Sequence, residues 1–235
     1  MKYFLMNYDF EINGISIPSL NGDTVKNYQE FFNNGKCKVS TFYDKNYEFD
    51  YLRPQEEGEV KNAPKVIADF HMWIGEEPRK GLFYPISKKF KELLEGFNQS
   101  EYRFYNGKVL FKGDFYPYFV WRVISTKYKE HIDYSQTLFN NLNSWRRQMH
   151  DELVVKQFDS HKEMKMYFKS HWRNHWNYER LVMKSSFRNL DYCYIFGLGS
   201  GNVVSERLKI AIEEAGLTGI RFEPVPIPIE FSDEV

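Results

Sequence analysis

Two histidines have the residue type and spacing of a metal site. His171 and His175, in the segment HWRNHW, are four residues apart, so on a helix both imidazoles could bind one zinc ion. A zinc protease would carry a glutamate directly after the first histidine, and Trp172 stands there instead. No third ligand is adjacent. The alternative is an amphipathic helix on which Trp172 and Trp176 pack to one side.

A glycine-rich segment, Gly197–Gly201, lies between a predicted strand and a predicted helix, where phosphate-binding loops occur. It lacks the Lys-Ser/Thr pair of a P-loop, and a dinucleotide-binding loop would need a glycine where Asn202 stands. The segment therefore predicts a flexible connection.

A third group has the residue types of a nuclease site. It comprises Asp69, His71, Glu76, Glu77, Arg79 and Lys80. Their spacing fits no nuclease motif, and no serine stands in the context of a nucleophile elbow. The sequence thus predicts a protein that is not an enzyme and uses no cofactor. A metal- or ligand-binding enzyme built on the His171/His175 helix is kept as the alternative.

The composition is that of a compact protein without a bias in charge. Apolar residues make up 42% and aromatic residues 18% of 235 residues, enough for a substantial core. The 32 Lys and Arg balance 32 Asp and Glu, so no global field steers the protein towards nucleic acid or a membrane. We expect a single domain over residues 1–235.

The chain shows no pattern of a secreted or membrane-spanning protein. Asn7 and Asp9 interrupt the first apolar residues, and no run approaches the ~20 apolar residues of a membrane span. Cys37 and Cys193 match no metal or redox spacing, which favours two buried thiols in a reducing compartment. These features predict a cytoplasmic protein.

The best-specified local structure is Gly201–Val225, which predicts a strand, a helix and a second strand. Ser205 stands at an N-cap position, where its hydroxyl can accept a hydrogen bond from the first helical turn. Gly216 tolerates the positive φ that commonly closes a helix.

An earlier segment repeats this pattern. Ser87–Phe104 aligns without a gap on Ser205–Phe222, which places a second cap at Ser87. The other identities are Lys91/Lys209, Glu95/Glu213, Arg103/Arg221 and Phe104/Phe222, and upstream Ala68-Asp69-Phe70 resembles Leu190-Asp191-Tyr192. Two unrelated capped helices are the alternative to a true repeat.

The alignment predicts an internal pseudo-duplication around residues 66–105 and 188–225. The single domain would then contain two similar sub-units, at about 1–126 and 127–235. Alternating strand and helix patterns predict an α+β fold, with helices packed on a mixed, mostly antiparallel sheet. Two further elements are predicted: a hairpin turn at Asn106-Gly107, and a helix from the cap Ser160 to about Trp176.

The segment VVSERLKIAIEEAGLTGIRFEPV resembles the C-terminal signature of bacterial immunity proteins encoded beside polymorphic toxins, in the families numbered eleven and forty-three. The opening MKYFLMNYDF, the block Phe83–Phe97 and the motif Ile132-Asp133-Tyr134-Ser135 are similar to theirs as well. Members are predicted to be cytosolic proteins that neutralise a cognate toxin. The resemblance therefore implies a toxin partner encoded nearby, and it assigns no site residue.

Two segments are candidates for contacting such a partner. The acidic one contains Glu48, Asp50, Glu56, Glu57 and Glu59. It would suit a nuclease toxin, which must be basic to hold its substrate. The basic, aromatic one, Arg146–Tyr178, offers residue types that dominate interface energetics, namely Trp172, Arg173, Trp176 and Tyr178. The alternative for the charged residues is a solvated face, and the alternative for the tryptophans is a helix packed on the core. We expect a monomer or a weak homo-oligomer.

Overall fold

The computed structural model describes residues 1–21, 48–49, 51–54, 65–74, 82–124, 126–141, 153–172 and 176–233. Within these ranges it contains three α-helices and 16 strands in mostly antiparallel sheets, which confirms the predicted α+β class. None of the helices in these ranges is long and apolar enough to cross a membrane.

The elements are short, and their bounds are as follows. The helices are α1 (Lys88–Leu94), α2 (His161–Tyr167) and α3 (Glu206–Glu214). The strands are β1 (Tyr3–Tyr8), β2 (Glu11–Ile12), β3 (Ile15–Ser16), β4 (Leu20–Asn21), β5 (Arg53–Pro54), β6 (Trp73–Ile74), β7 (Leu82–Ser87), β8 (Tyr102–Phe111), β9 (Asp114–Val123), β10 (Leu138–Asn140), β11 (Val155–Lys156), β12 (Asn177–Met183), β13 (Tyr192–Tyr194), β14 (Asn202–Ser205), β15 (Ile220–Pro224) and β16 (Ile229–Phe231). Single turns of 3₁₀-helix cover Lys127–Glu130 and Ser185–Asn189.

Two of the sheets share one design, a central strand between two antiparallel neighbours. In unit A, formed by β7, α1, β8 and β9, the strand order is β7-β9-β8. In unit B, formed by β14, α3, β15 and β1, the order is β14-β1-β15, with β13 added outside β14. Each helix follows directly on the strand that ends with its serine cap, Ser87 or Ser205.

The central strands β9 and β1 correspond in register. Ser87 pairs with Tyr118 in unit A, and Ser205 pairs with Tyr3 in unit B. The aligned strands also share sequence, because Tyr3-Phe4 falls on Tyr118-Phe119. The similarity between the two aligned segments therefore extends to a central strand in each sheet, which the sequence alignment did not include.

The order of the strands along the chain differs between the units. In unit A the central strand follows β8 through a tight turn, whereas in unit B it is the first strand of the chain. The predicted division into sub-units at about residue 126 therefore does not match the sheets. Residues 3–8 pair with residues 203–205 and 220–224. The two units thus match in strand order and register but differ in the order of their strands along the chain.

Each unit is tied to the other by an aspartate. Asp69, ahead of β7, accepts hydrogen bonds from the Ser87 hydroxyl (2.6 Å) and from the N–H of Thr218, which follows α3 (2.9 Å). Asp191, ahead of β14, accepts bonds from the Ser205 hydroxyl (2.7 Å) and from the N–H of Asn98, which follows α1 (3.0 Å). Each carboxylate thus joins its own helix cap to the loop beyond the helix of the other unit.

A cationic side chain of each helix, α1 and α3, also contacts a residue at the end of the other helix. The Lys89 ammonium group donates a hydrogen bond to the carbonyl oxygen of Ala215 at the end of α3 (2.5 Å). The Arg207 guanidinium lies 5.4 Å from the ring centre of Phe97, just beyond α1. Lys89 aligns with Arg207 and Phe97 with Ala215, so the two contacts join corresponding positions of the two units. The units are therefore related by an approximate two-fold arrangement.

A third sheet, β11-β10-β12-β16, carries the C-terminal part of the core. Its strands β10, β11 and β12 are antiparallel, and β16 runs parallel to β12. Phe139, Phe168, Leu181 and Phe187 are fully buried or nearly so in the cluster that this sheet forms with β1 and α2. This cluster supports the surface described below.

The hairpin turn predicted at Asn106-Gly107 is wrong, because both residues lie inside β8. The Asn106 carbonyl accepts a hydrogen bond from the Phe49 N–H (2.9 Å), and a Cβ on Gly107 would lie 3.3 Å from the Phe49 carbonyl oxygen. The glycine is thus explained by close packing of the chain around Phe49. The turn is made by Lys112-Gly113, whose φ angles of 53° and 92° suit a two-residue hairpin.

Candidate interaction surface

The start of α2 is fixed by side chains. Ser160 has extended backbone angles, and its hydroxyl accepts a hydrogen bond from the Glu163 N–H (3.2 Å). The Glu163 carboxylate in turn accepts a bond from the Asp159 N–H (2.9 Å). This reciprocal pattern resembles a capping box and positions the first turn of the helix.

The predicted helix to Trp176 is α-helical only as far as Tyr167. A five-residue π turn, Phe168–Trp172, follows. The Ser170 hydroxyl lies 3.0 Å from the Met166 carbonyl oxygen and 3.1 Å from that of Tyr167. Because these contacts engage carbonyls that a regular α-helix would pair with main-chain N–H groups, they help the chain to adopt the wider turn.

An aromatic cluster lies beneath α2 and the π turn. The ring of Phe168 stacks on that of Trp176, with centroids 5.1 Å apart and 20° between the planes. Trp176 also contacts Phe139 (5.6 Å) and Tyr178 (5.1 Å). Aromatic residues of the basic, aromatic segment therefore pack into the core.

The predicted partner contacts Trp176 and Tyr178 have different exposures. Tyr178 is 5% exposed, so its side chain belongs to the core and offers almost no surface to a partner. Trp176 is half-buried and borders Phe196, which is 54% exposed. Trp172 ends the π turn, and Arg173 lies outside the described residues.

Within the described ranges, no second ligand for the predicted metal site lies beside His171. His171 is exposed, and its ring stacks on Tyr167 with centroids 4.2 Å apart and 9° between the planes. Its Nδ1 atom lies 2.7 Å from the Ser170 hydroxyl. His175 lies outside the described residues. Among the residues that are described, no group of three or more His, Cys, Asp or Glu is arranged to hold a metal ion.

The acidic segment is represented by one residue. Glu48 is exposed and precedes Phe49, which is buried against unit A. The other members, Asp50, Glu56, Glu57 and Glu59, lie outside the described residues. Their place in an interaction surface remains a prediction from sequence.

The three predicted structural caps are found at helix ends. Ser87 and Ser205 each accept a hydrogen bond from the N–H three residues on, at 3.1 and 3.2 Å. Gly216 has φ 61°, and the N–H groups of Gly216 and Leu217 bond carbonyls of the last turn of α3 at 3.0 and 3.2 Å. This is the Schellman pattern, in which a glycine takes the left-handed position.

The glycine-rich segment forms a packed hairpin loop. It joins β13 to β14, so α3 begins only after another strand. Gly197, Gly199 and Gly201 all have positive φ, and a Cβ on Gly201 would lie 2.4 Å from the Tyr194 ring. Close packing against Leu5 and Tyr194 accounts for Gly199 and Gly201, and the positive φ accounts for Gly197. The flexible connection stays a prediction from sequence.

Cys193, one of the two thiols, is 1% exposed in the core. Burial raises its pKa to about 12, which leaves almost no reactive thiolate near neutral pH. Cys37 lies outside the described residues.

Exposed cations lie on α2 and on the π turn that follows it; the sequence placed them in the basic segment but did not name them as contact residues. Lys162, Lys165 and Lys169 are all exposed and recur at helical spacing, and we call them the lysine stripe. Met166, which is 61% exposed, lies among them. The signal was present in the sequence, because neither Lys162 nor Lys165 has an acidic residue four positions on.

Lys129 extends this positive charge beyond the helix, whereas His161, the first residue of α2, is mostly neutral near pH 7. Burial lowers the pKa of His161, and the charges of Lys129 and Lys165 lower it further. Burial also lowers the pKa of Lys129, with a second contribution from Lys165. Because Lys129 belongs to the 3₁₀ turn, the positive surface spans two elements.

No family model and no curated protein matches this sequence.

Proposed function

We propose that this chain is an immunity-type protein, which binds a toxin protein encoded nearby and neutralises it in the cytoplasm by occluding or immobilising it. The proposal requires a protein-binding surface and no catalytic residue. Its support from sequence is the resemblance of residues 203–225 to the C-terminal signature of such proteins.

The structural observation that carries the proposal is the combination of exposed apolar and cationic side chains around α2. Met166 is 61% exposed on the helix, and Val155 is 41% exposed on the neighbouring strand β11. The Lys156 ammonium lies 5.8 Å from the ring centre of Tyr167, which places β11 beside α2. Single exposed apolar residues are ordinary, but exposed methionine is common at surfaces that bind other proteins, and here the lysine stripe lies beside it.

The test is co-expression with the product of the gene immediately upstream. We expect that product to arrest growth when expressed alone, growth to resume when this chain is co-expressed, and the two proteins to co-purify. The control is the same vector carrying a frameshift early in this gene. A neighbour that is harmless, or one whose toxicity persists without a complex, would contradict the proposed function.

A further inference from the structure

Within the described residues, the lysine stripe differs from Lys88 and Lys91 of α1 and from Lys209 of α3 in having no acidic partner. In α1 the Lys91 ammonium lies 2.6 Å from Glu95, and in α3 Lys209 lies 2.6 Å from Glu213. These are pairs four residues apart, the spacing at which opposite charges meet on a helix. Such pairs neutralise the outer faces of α1 and α3.

In α2 the equivalent positions hold other residue types. Four residues after Lys162 stands Met166, and four after Lys165 stands Lys169. The one acidic residue of the helix, Glu163, turns its carboxylate to the Asp159 N–H at the helix start. Within the described ranges, none of the lysine stripe forms an ion pair.

The charge is also concentrated by its neighbours. Lys129, on the neighbouring 3₁₀ turn, adds a cation beside the stripe: burial lowers its pKa, and the nearby charge of Lys165 lowers it further. Like charges so placed repel one another, which destabilises the folded chain slightly. An anionic partner would remove that repulsion and gain attraction to several cations at once, so the surface is complementary to negative charge.

The surroundings favour a protein as the anion over a nucleic acid. Met166 offers 61% of its surface between the lysines, and an apolar contact of this kind is suited to a protein side chain. The chain as a whole has equal numbers of acidic and basic residues, without the surplus of a general nucleic-acid binder.

We infer that the lysine stripe, Lys162, Lys165 and Lys169, is the docking surface for an acidic patch on a partner protein. The inference deepens the proposed function and rests on it in one respect, since it names the chemistry of the toxin surface that would be recognised. Binding of an acidic polypeptide can be measured without any toxin, so the stripe can be tested independently of the proposed function.

The direct test uses short poly-L-glutamate as a probe, with a single-stranded oligonucleotide of equal charge as the comparison. The full-length chain is measured by fluorescence anisotropy at low and at physiological salt. One variant reverses the stripe (Lys162→Glu, Lys165→Glu and Lys169→Glu), and a second neutralises it with glutamine at the same positions. The matched control reverses three exposed lysines of unit A, Lys88, Lys108 and Lys112.

We expect the wild-type chain to bind poly-L-glutamate more tightly than the oligonucleotide, and salt to weaken the binding. Removing three exposed charge contacts should weaken binding about 10-fold, because each contact is weak alone and the three act together. The control should stay within about 2-fold, because its net charge changes equally but lies elsewhere. The glutamine variant, which adds no repulsion, should fall in the same direction as the reversal.

Three results would overturn the inference: no binding of poly-L-glutamate by the wild-type chain, an equal loss in the stripe and control variants, or tighter binding of the oligonucleotide. Circular dichroism of each variant checks that the fold is retained.

The same variants in the co-expression assay separate the two proposals. A stripe variant that still protects cells refutes the docking surface and leaves the immunity function intact. Stripe-dependent binding of poly-L-glutamate without protection by the wild type refutes the immunity function alone.

Discussion

At the scale of single residues, His71 shows how a polar side chain can be buried without charge. It is 1% exposed, and its Nδ1 atom lies 2.8 Å from the Pro18 carbonyl oxygen. Its Nε2 atom accepts a hydrogen bond from the Ala68 N–H (2.9 Å). These partners fit a neutral ring with its proton on Nδ1, since Nε2 must accept. A second proton would face the Ala68 N–H and break that bond.

Burial lowers the pKa of His71 from 6.5 to about 4, and this predicts how stability depends on pH. Between these values the unfolded chain binds the proton and the folded chain does not, so stability falls as the pH falls. The contribution is complete above pH 6.5, and about 3 kcal/mol is lost by pH 4. Urea unfolding at pH 7 and at pH 4.5 should show most of that loss in the wild type.

The variant His71→Gln should unfold more easily at pH 7 and depend less on pH. His161→Gln serves as the control, because that ring is only half-buried at the surface. Equal pH dependence in the wild type and in His71→Gln would show that another group controls acid stability.

At the scale of elements, the serine caps and the glycine end of α3 were the parts of the fold that the sequence predicted best, whereas α2 ends at Tyr167, short of the predicted Trp176. A cap joins residues three or four positions apart, so its signal is contained in a short window of sequence, as at Ser205 and Gly216. The π turn after α2 could not be found in this way. It depends on the packing of Phe168 and Trp176 in the core, and on hydroxyl contacts by Ser170 that many serines in helices also make.

Gly216→Ala should destabilise the protein by about 1 kcal/mol, because alanine is strained at the φ of 61° that closes α3. A Cβ at this position would meet no atom within 4 Å, so backbone strain is the only cost expected. Gly96→Ala, at the end of α1, is the matched control, since that glycine has no positive φ. Equal urea midpoints for the two variants would refute this account.

Tertiary packing decided the features that local patterns predicted wrongly. Asn106-Gly107 has the residues of a hairpin turn, yet the strand continues through it and the chain at Phe49 packs against it. For the candidate surface, the sequence identified a basic, aromatic segment but not its division into two faces. Phe168 and Tyr178 face the core, whereas the lysine stripe faces solvent.

At the scale of the whole molecule, the paired units A and B are joined by reciprocal contacts. Burial of Asp191 raises the pKa of its carboxyl group, but hydrogen bonds from Arg207, Ser205 and the Asn98 N–H outweigh this and leave the pKa below its ordinary value. The carboxylate is therefore held in its charged form between the units. Because unit B depends on a contact with unit A, and Asp69 provides the converse, we expect the units to unfold together.

Asp191→Asn tests that cooperativity. It puts a neutral side chain where the Ser205 hydroxyl and the Asn98 N–H bond a buried carboxylate, and should cost about 2 kcal/mol, as is usual for weakening buried hydrogen bonds to a charged group. Native-state hydrogen exchange should show the same loss for the slowest amides of β9 in unit A and of β1 in unit B. Asp114→Asn, an exposed change in unit A, is the control. A loss confined to unit B would show that the units open independently.

The position of β1 has a consequence for the time at which the protein can fold on the ribosome. Unit A is built from one continuous stretch that ends at Val123, whereas β1 needs partners that end at Pro224. At about 5–20 residues per second, the first strand waits on the order of ten seconds for its sheet. During that wait it carries Tyr3-Phe4, the same dipeptide as Tyr118-Phe119 inside β9, and can compete for the place between β7 and β8. We expect slower translation over residues 82–123 to lengthen the time in which β1 can occupy that place.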